Sequence, residues 1–401
     1  MRRVTAGRPL ATVMLIGVLV FLTGAAEAFE PLPRVEPEVL GLDAGRLDNF
    51  LDELEAVDGA RSVVVVHRER VVAEDYWWGS SISMHHVRSV TKSITSMLVG
   101  IAIERGFIDS IDVRMVDFLP TDLRPSGGAK DDILVRHLLT HTSGFLWDEN
   151  AEIVGWISSS NPLSYILNRP LVDTPGTDFN YSTAATHVLS AVLEEAVGVD
   201  IEVFAESYLF APLGISSWQW ERDPQGYPFA GHGVELRTED MAKLGVLFLN
   251  HGRWGDEQVV PADWVRQATA THFRGNSSWG PVDRVSYGLL WWLASADDIN
   301  LYMALGWGGQ FVVCVPALDL VVATSARWQV NANQADAQER AILEVIVEEL
   351  LPLIPVRHRR PRRPTGRVRP VGATGSSRLL HPLAAEAGRG GSRRLVVETA
   401  E

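Results

Sequence analysis

Ser89-Val90-Thr91-Lys92 opens a stretch in which Val90, Ile94, Leu98, Ile101 and Ala102 recur at spacings of three and four residues, with Gly106 placed to end it. That period predicts an α-helix beginning at Ser89. Residues three apart on a helix lie side by side, so Ser89 and Lys92 share one face at the N-terminus, where the helix dipole favours negative charge. A serine hydroxyl is a poor nucleophile until a nearby base takes its proton, and a lysine whose pKa is lowered by burial can be that base. The lysine also runs against the habit of the chain, which has 33 Arg but only Lys92, Lys130 and Lys243. Arginine keeps its proton and could not replace it as a base. The alternative reading of the same spacing is a capping serine and a surface lysine.

Outward from this stretch the middle of the chain reads as helical. Further helices are expected over Thr183 to Ala196, closed by Gly198, over Glu239 to Asn250 after the capping candidate Thr238, and over Pro261 to Ala270. Strands are expected toward the two ends. Ser62 to His67 and Val71 to Trp78 flank the polar Arg68-Glu69-Arg70, and Tyr287 to Leu293, Leu301 to Leu305, Gln310 to Val315 and Leu318 to Thr324 follow late in the chain. Ala335 to Leu351 has helical spacing and is expected to pack on the sheet. The predicted fold is α/β (α+β). An antiparallel sheet flanked by helices is drawn from residues 29–88 and 230–355, with a mainly helical insertion over residues 89–229.

Composition sets the outer limits. The 401 residues are 46% hydrophobic and 21% charged, as in a folded globular chain. Eleven Arg face three Glu after residue 355, and three Arg face one Glu in residues 1–28, so the formal net charge of −14 leaves −24 on residues 29–355. So acidic a body argues against a nucleic-acid partner. Residues 1–28 read as an export signal, with Arg2 and Arg3, the apolar Val13 to Leu22, and the small-x-small site Ala26-Glu27-Ala28. The expectation is an exported protein, periplasmic or secreted, with no stable membrane span after cleavage. Residues 356–401, rich in Arg, Pro, Gly and Ser, read as a disordered tail. The single cysteine, Cys314, lies in an apolar run and reads as a small buried hydrophobe.

Three more motifs follow Ser89-Val90-Thr91-Lys92 in order. They are His137-Leu138-Leu139-Thr140-His141-Thr142-Ser143-Gly144, Pro175-Gly176-Thr177-Asp178-Phe179-Asn180-Tyr181-Ser182-Thr183, and Gly306-Trp307-Gly308-Gly309-Gln310. Together they resemble the serine beta-lactamase and penicillin-binding superfamily over roughly Leu42 to Leu350, especially its class C-like esterase and amidase branch. The resemblance implies that Ser89 is the nucleophile, Lys92 its basic partner and Tyr181 a phenol that relays the proton to the leaving group. It also implies an oxyanion hole from the N–H groups of Ser89 and Gln310, with Gly308 and Gly309 letting a substrate carbonyl approach the backbone. No metal or organic cofactor is implied. His85, His86 and His141 lack a third ligand at metal-site spacing, and His141 is read as structural.

Two departures narrow the substrate. The family's usual Tyr-x-Asn is Tyr181-Ser182-Thr183 here, so a hydroxyl at Thr183 replaces the side-chain amide that contacts substrate and lysine. The late Lys/His-Thr-Gly is Trp307-Gly308-Gly309, without the cation that grips the carboxylate of penicillins or acyl-D-alanyl peptides. The pattern is most similar to the branch with 6-aminohexanoate-dimer hydrolases and carboxylesterases. The expected partner is thus a small-molecule ester or simple amide, with Trp147, Trp291, Trp292 and Trp307 as candidates for an apolar pocket. The alternatives are a beta-lactamase or D,D-peptidase, and a member that has lost catalysis and serves as a binding or sensor protein. The sequence carries no signal for an oligomeric state.

Overall fold

A computed structural model describes residues 31–125 and 127–355, so the export signal expected over residues 1–28 and the tail expected over residues 356–401 lie outside the described residues. Among the described residues, thirteen strands and ten α-helices follow one another along the chain. Helix α1 (Ala44–Glu55), capped by Asp43, precedes the hairpin β1 (Ala60–His67) and β2 (Arg70–Tyr76) and the short β3 (Met84–His86). The helical middle holds α2 (Val90–Glu104), α3 (Val135–Leu139), α4 (Glu149–Ile157), α5 (Pro162–Leu167), α6 (Thr183–Val197) and α7 (Ile201–Ala205). Then come β4 (Gln219–Trp220), β5 (Val234–Arg237), α8 (Thr238–Leu249), the hairpin β6 (Arg253–Trp254) and β7 (Glu257–Gln258), and α9 (Ala262–Ala268). The chain closes with β8 (Phe273–Trp279), β9 (Val282–Tyr287), β10 (Trp292–Ala296), β11 (Ile299–Gly306), β12 (Gln310–Val315), β13 (Leu320–Ala326) and α10 (Ala332–Val345).

The main sheet has eight strands in the order β2-β1-β13-β12-β11-β10-β9-β8, antiparallel throughout. The valine run of β1, one strand in from the β2 edge, pairs with β13, Val64 opposite Ala323 and Val65 opposite Val322. Val63 to Val66 are all buried, as expected for a strand covered on both faces. Helices α1 and α10 pack on each other, and α8 lies across β13, β12 and β1. The approach of α8 is close at Gly245, where a Cβ would fall 2.5 Å from Val321. A second small sheet, β3-β5-β4, ties the segment before Ser89 to the region after α7.

Helix α2 is buried on every side from Val90 to Ala102, between α6 and strands β11 and β12. Residues such as Ile94, Leu98 and Val99 each contribute about 2 kcal/mol of apolar burial, which fixes the rod that carries Ser89. Two local expectations need correction. Residues 287–293 do not form one strand: Gly288 lies so close to the Ala268 carbonyl that a Cβ would meet it at 2.0 Å, and Leu290 adopts a left-handed φ of 61°. The break lets the Leu290 N–H donate to the Leu139 carbonyl and its own carbonyl accept from the Ser93 hydroxyl. Thr238 begins α8 without capping it, since its hydroxyl is paired with Ser62, 2.6 Å away. Cys314 is buried in β12 as read.

Candidate active site

Ser89 sits at the N-terminus of α2, directly after Arg88, whose φ of 53° is left-handed. The bend is held by the Arg88 N–H donating to Nδ1 of His86 at 3.0 Å and the Val87 N–H donating to the Val234 carbonyl at 2.9 Å. The Ser89 side chain makes no capping bond to its own helix, which leaves Oγ free to face Lys92 Nζ at 2.9 Å. Lys92 is buried, and Nζ also donates to Thr183 Oγ1 and to the Gly231 carbonyl, each at 2.8 Å.

The direction of these bonds follows from what each partner can do. A carbonyl only accepts. The Thr183 hydroxyl spends its single proton on Glu149 Oε1, so toward Lys92 it must accept. Two N–H groups of Lys92 are thereby committed, and the third tetrahedral position faces Ser89 Oγ. In a neutral amine that position is the lone pair, able to receive the serine proton. Burial supplies the neutral amine: it lowers the Lys92 pKa from 10.5 to about 7, with the Glu149 carboxylate opposing the fall and Arg88 adding to it.

Each partner is fixed from behind. Three donors converge on the Glu149 carboxylate: Trp147 Nε1 at 2.7 Å and Thr183 N at 2.9 Å on Oε2, and Thr183 Oγ1 on Oε1. Gly231 belongs to a segment pinned by the Thr95 hydroxyl on the Ala230 carbonyl and by the buried pair of His187 with Asp223, 3.0 Å apart. Tyr181 stacks on Trp292, and its ring centroid lies 4.7 Å from Lys92 Nζ. Burial raises its phenol well above the ordinary range, and a hydrogen bond to Ser89 partly offsets the rise, so it stays protonated at neutral pH. His141 is a structural bracket: Nδ1 accepts from the Ser182 N–H at 3.1 Å and Nε2 meets the Tyr287 hydroxyl at 3.1 Å.

These groups open onto a cleft of about 670 Å³ whose walls include Ser89, Tyr181, Thr183, Trp292, Trp307 and Trp328. Not every expected residue is there. Trp291 is buried against Phe248 at 4.4 Å, and Trp147 stands behind the site, bonded to Glu149. Gly308 and Gly309 form the β11–β12 turn, with φ of 81° and 98°, and are packed from behind: a Cβ would meet the Arg327 carbonyl at 2.7 Å or Ile342 at 2.5 Å. The hairpin, the segment after β13 and α10 thus account for both glycines. Gln310 is buried, its side chain holding both the N–H and the carbonyl of Ala326. The backbone that approaches the residues leading into Ser89 is that of Gly306, the last residue of β11, where a Cβ would fall 2.3 Å from the Val87 carbonyl and 3.2 Å from Arg88 Cβ.

The beta-lactamase family profile matches residues 47–346, about three quarters of the chain. The chain belongs to the beta-lactamase family. It is similar to the 6-aminohexanoate-dimer hydrolase of Paenarthrobacter ureafaciens, 27% identical over 331 residues that cover 76% of this chain and 82% of that protein. Esterase EstB of Burkholderia gladioli is 26% identical over 45% of this chain and 53% of its own length. Among solved structures, the octameric penicillin-binding protein homologue of Pyrococcus abyssi superposes with a TM-score of 0.60 at 20% identity, covering 77% of each chain. A Bacillus anthracis protein provisionally named 6-aminohexanoate-dimer hydrolase gives 0.64 at 17% identity, covering 82% of this chain and 90% of that one. At these identities the two structures speak for the fold alone.

Beta-lactamase-family membership leaves one further cluster to explain. Among the described residues, His86, Glu221 and His232 bring donor atoms within 4.8 Å of one another, as a metal site would. The Arg88 N–H occupies the Nδ1 lone pair of His86, which puts the ring proton on Nε2, facing Glu221 at 3.3 Å. That nitrogen is a donor to the carboxylate and has no lone pair to offer a cation. The His86–Glu221 contact joins β3 to the residue after β4, and His232 lies 3.6 Å from the same carboxylate.

Sequence reasoning missed Glu149, Gly231, Gly306, Arg88 and Trp328. Gly306 stood in the late glycine motif without a role of its own, and Glu149 left a trace as an acidic residue in the first turn of a helix after the capping Asp148. Nothing in the sequence joins it to Thr183, 34 residues away.

Proposed function

We propose that this protein is a serine hydrolase that cleaves an ester or simple amide bond through a Ser89 acyl-enzyme. The observation that carries the reading is the hydrogen-bond pattern of Lys92, whose one uncommitted position faces Ser89 Oγ. Ser89 Oγ attacks the carbonyl carbon as its proton passes to Lys92 Nζ. The oxyanion is assigned to the N–H groups of Ser89 and Trp307. The close approach of Gly306 to Val87 and Arg88 supports Trp307 in the place first given to Gln310. Tyr181, a neutral phenol beside Lys92, hands a proton to the departing alkoxide or amine and is recharged from the lysine. Water then attacks the acyl carbonyl, gives up its proton to the same pair, and releases the acid.

Esters and simple amides are favoured by the turn Trp307-Gly308-Gly309, which offers an indole where penicillin-recognising enzymes hold a cation, and by Trp292 and Trp328 in the cleft. The names of the hydrolase and esterase relatives agree with this choice. The apolar N-terminal segment with its small-x-small site supports export to the periplasm or medium. A fluorophosphonate probe tests the chemistry: a single label on the wild type, absent from Ser89→Ala, is expected, and equal labelling of both would refute it.

A further inference from the structure

We infer that Glu149 is a positioning residue of this site, acting through Thr183 to aim the lone pair of Lys92 at Ser89; the inference rests on the hydrolase reading for its purpose but not for its test. The Glu149 carboxylate takes the Thr183 hydroxyl proton on Oε1 and the Thr183 and Trp147 N–H groups on Oε2. An ionised carboxylate can only accept, so the Thr183 hydroxyl cannot turn round, and Lys92 must donate to it. A threonine alone lacks this polarity, because a hydroxyl can donate to an amine as readily as it accepts. The carboxylate makes Thr183 a one-way partner and compensates for the missing amide of Tyr-x-Asn.

Glu149→Gln separates the possibilities. An amide has one oxygen for three donors. If that oxygen keeps the two N–H groups, its NH2 donates to Thr183 Oγ1, whose proton then turns to the Lys92 lone pair and draws it from Ser89. The substitution also removes the anion that raises the Lys92 pKa. With three lysines in the chain, selective 13Cε-lysine labelling lets Lys92 be assigned by its loss in Lys92→Met and titrated directly, with no catalytic readout. The Lys92 midpoint is expected to fall by about one pH unit in Glu149→Gln. The acid limb of kcat/KM for a nitrophenyl ester should move with it, and its plateau should drop at least tenfold; Glu149→Asp, which keeps the charge, should hold the midpoint near the wild-type value. An unchanged Lys92 midpoint in folded Glu149→Gln overturns the inference. A shifted midpoint in a protein with no ester turnover and no fluorophosphonate label overturns the hydrolase reading and leaves the inference standing.

A separate observation concerns the substrate. The Arg88 guanidinium reaches the cleft over the face of Trp328, 4.8 Å from its centroid, and among the described residues no side chain or carbonyl accepts a hydrogen bond from it. The carboxylates of Glu221 and Glu149 act on it only at a distance, and burial lowers its pKa. A guanidinium has five N–H donors shaped for a carboxylate. The geometry points to Arg88 as the seat of a substrate carboxylate beside the scissile carbonyl, as in a monoester or monoamide of a dicarboxylic acid. Calorimetry on the inert Ser89→Ala protein compares monomethyl glutarate with dimethyl glutarate. The monoester is expected to bind at least tenfold more tightly than the diester, and Arg88→Gln to remove that preference. Equal binding of the two esters, no binding of the monoester at millimolar concentrations, or a preference that survives Arg88→Gln would overturn the assignment.

Discussion

Replacing Lys92 by methionine should make the stability of this protein lose a pH dependence that only a neutral buried lysine confers. Burial lowers the Lys92 pKa from 10.5 to about 7, a shift worth about 5 kcal/mol at 1.36 kcal/mol per unit. The sign follows from which state holds the proton. Below about pH 7 the folded and unfolded chains are both protonated at this site, and the whole cost of burying the charge stands. Between about pH 7 and 10.5 the unfolded chain holds a proton that the folded chain has released, so stability rises with pH. Above that window the cost is gone. From pH 7 to pH 9 the wild type should therefore gain about 2 kcal/mol relative to Lys92→Met. Urea denaturation of both proteins at pH 7, 8 and 9 measures the difference, in which the other titrating groups cancel. A difference that stays flat to within about 0.5 kcal/mol would mean that Lys92 keeps its proton, and the general-base role would fall with it.

Gly306→Ala would place a methyl 2.3 Å from the Val87 carbonyl, pushing β11 away from Ser89. We expect a cost of about 1 to 3 kcal/mol and at least a tenfold loss in kcat/KM; full ester activity would remove this backbone from the oxyanion hole. His187→Ala would leave the buried Asp223 carboxylate with only the N–H groups of Gln225 and Tyr227, a loss of about 3 kcal/mol or more by denaturation. Because the same segment presents the Gly231 carbonyl to Lys92, kcat should fall with KM nearly unchanged, and a variant with wild-type kcat would uncouple the pair from the site.

What the sequence revealed and what it concealed divide along a physical line. The register of α2 was legible because an apolar period of three and four is set by local geometry, and Ser89 and Lys92 fell on one face as a consequence. The antiparallel sheet was legible from the valine run of β1 and the late apolar strands. The break between β9 and β10 was not, since it depends on Gly288 meeting the Ala268 carbonyl from a distant element. The same holds at the site. Gly308, Gly309 and Gln310 invited a functional reading, yet the turn, α10 and the end of β13 account for them. Glu149 and the Gly231 carbonyl set the polarity of Lys92 and carry no local signature, because a hydrogen bond across the fold leaves none.

If Ser89 carries the acyl group, mass spectrometry of acid-quenched protein during turnover of p-nitrophenyl butyrate will find it there. One butyryl group on the peptide containing Ser89 is predicted, accumulating in Tyr181→Phe, where deacylation is slowed, and absent from Ser89→Ala. Steady turnover with no adduct in either the wild type or Tyr181→Phe, or an adduct that persists in Ser89→Ala, would mean that the acyl group does not pass through Ser89.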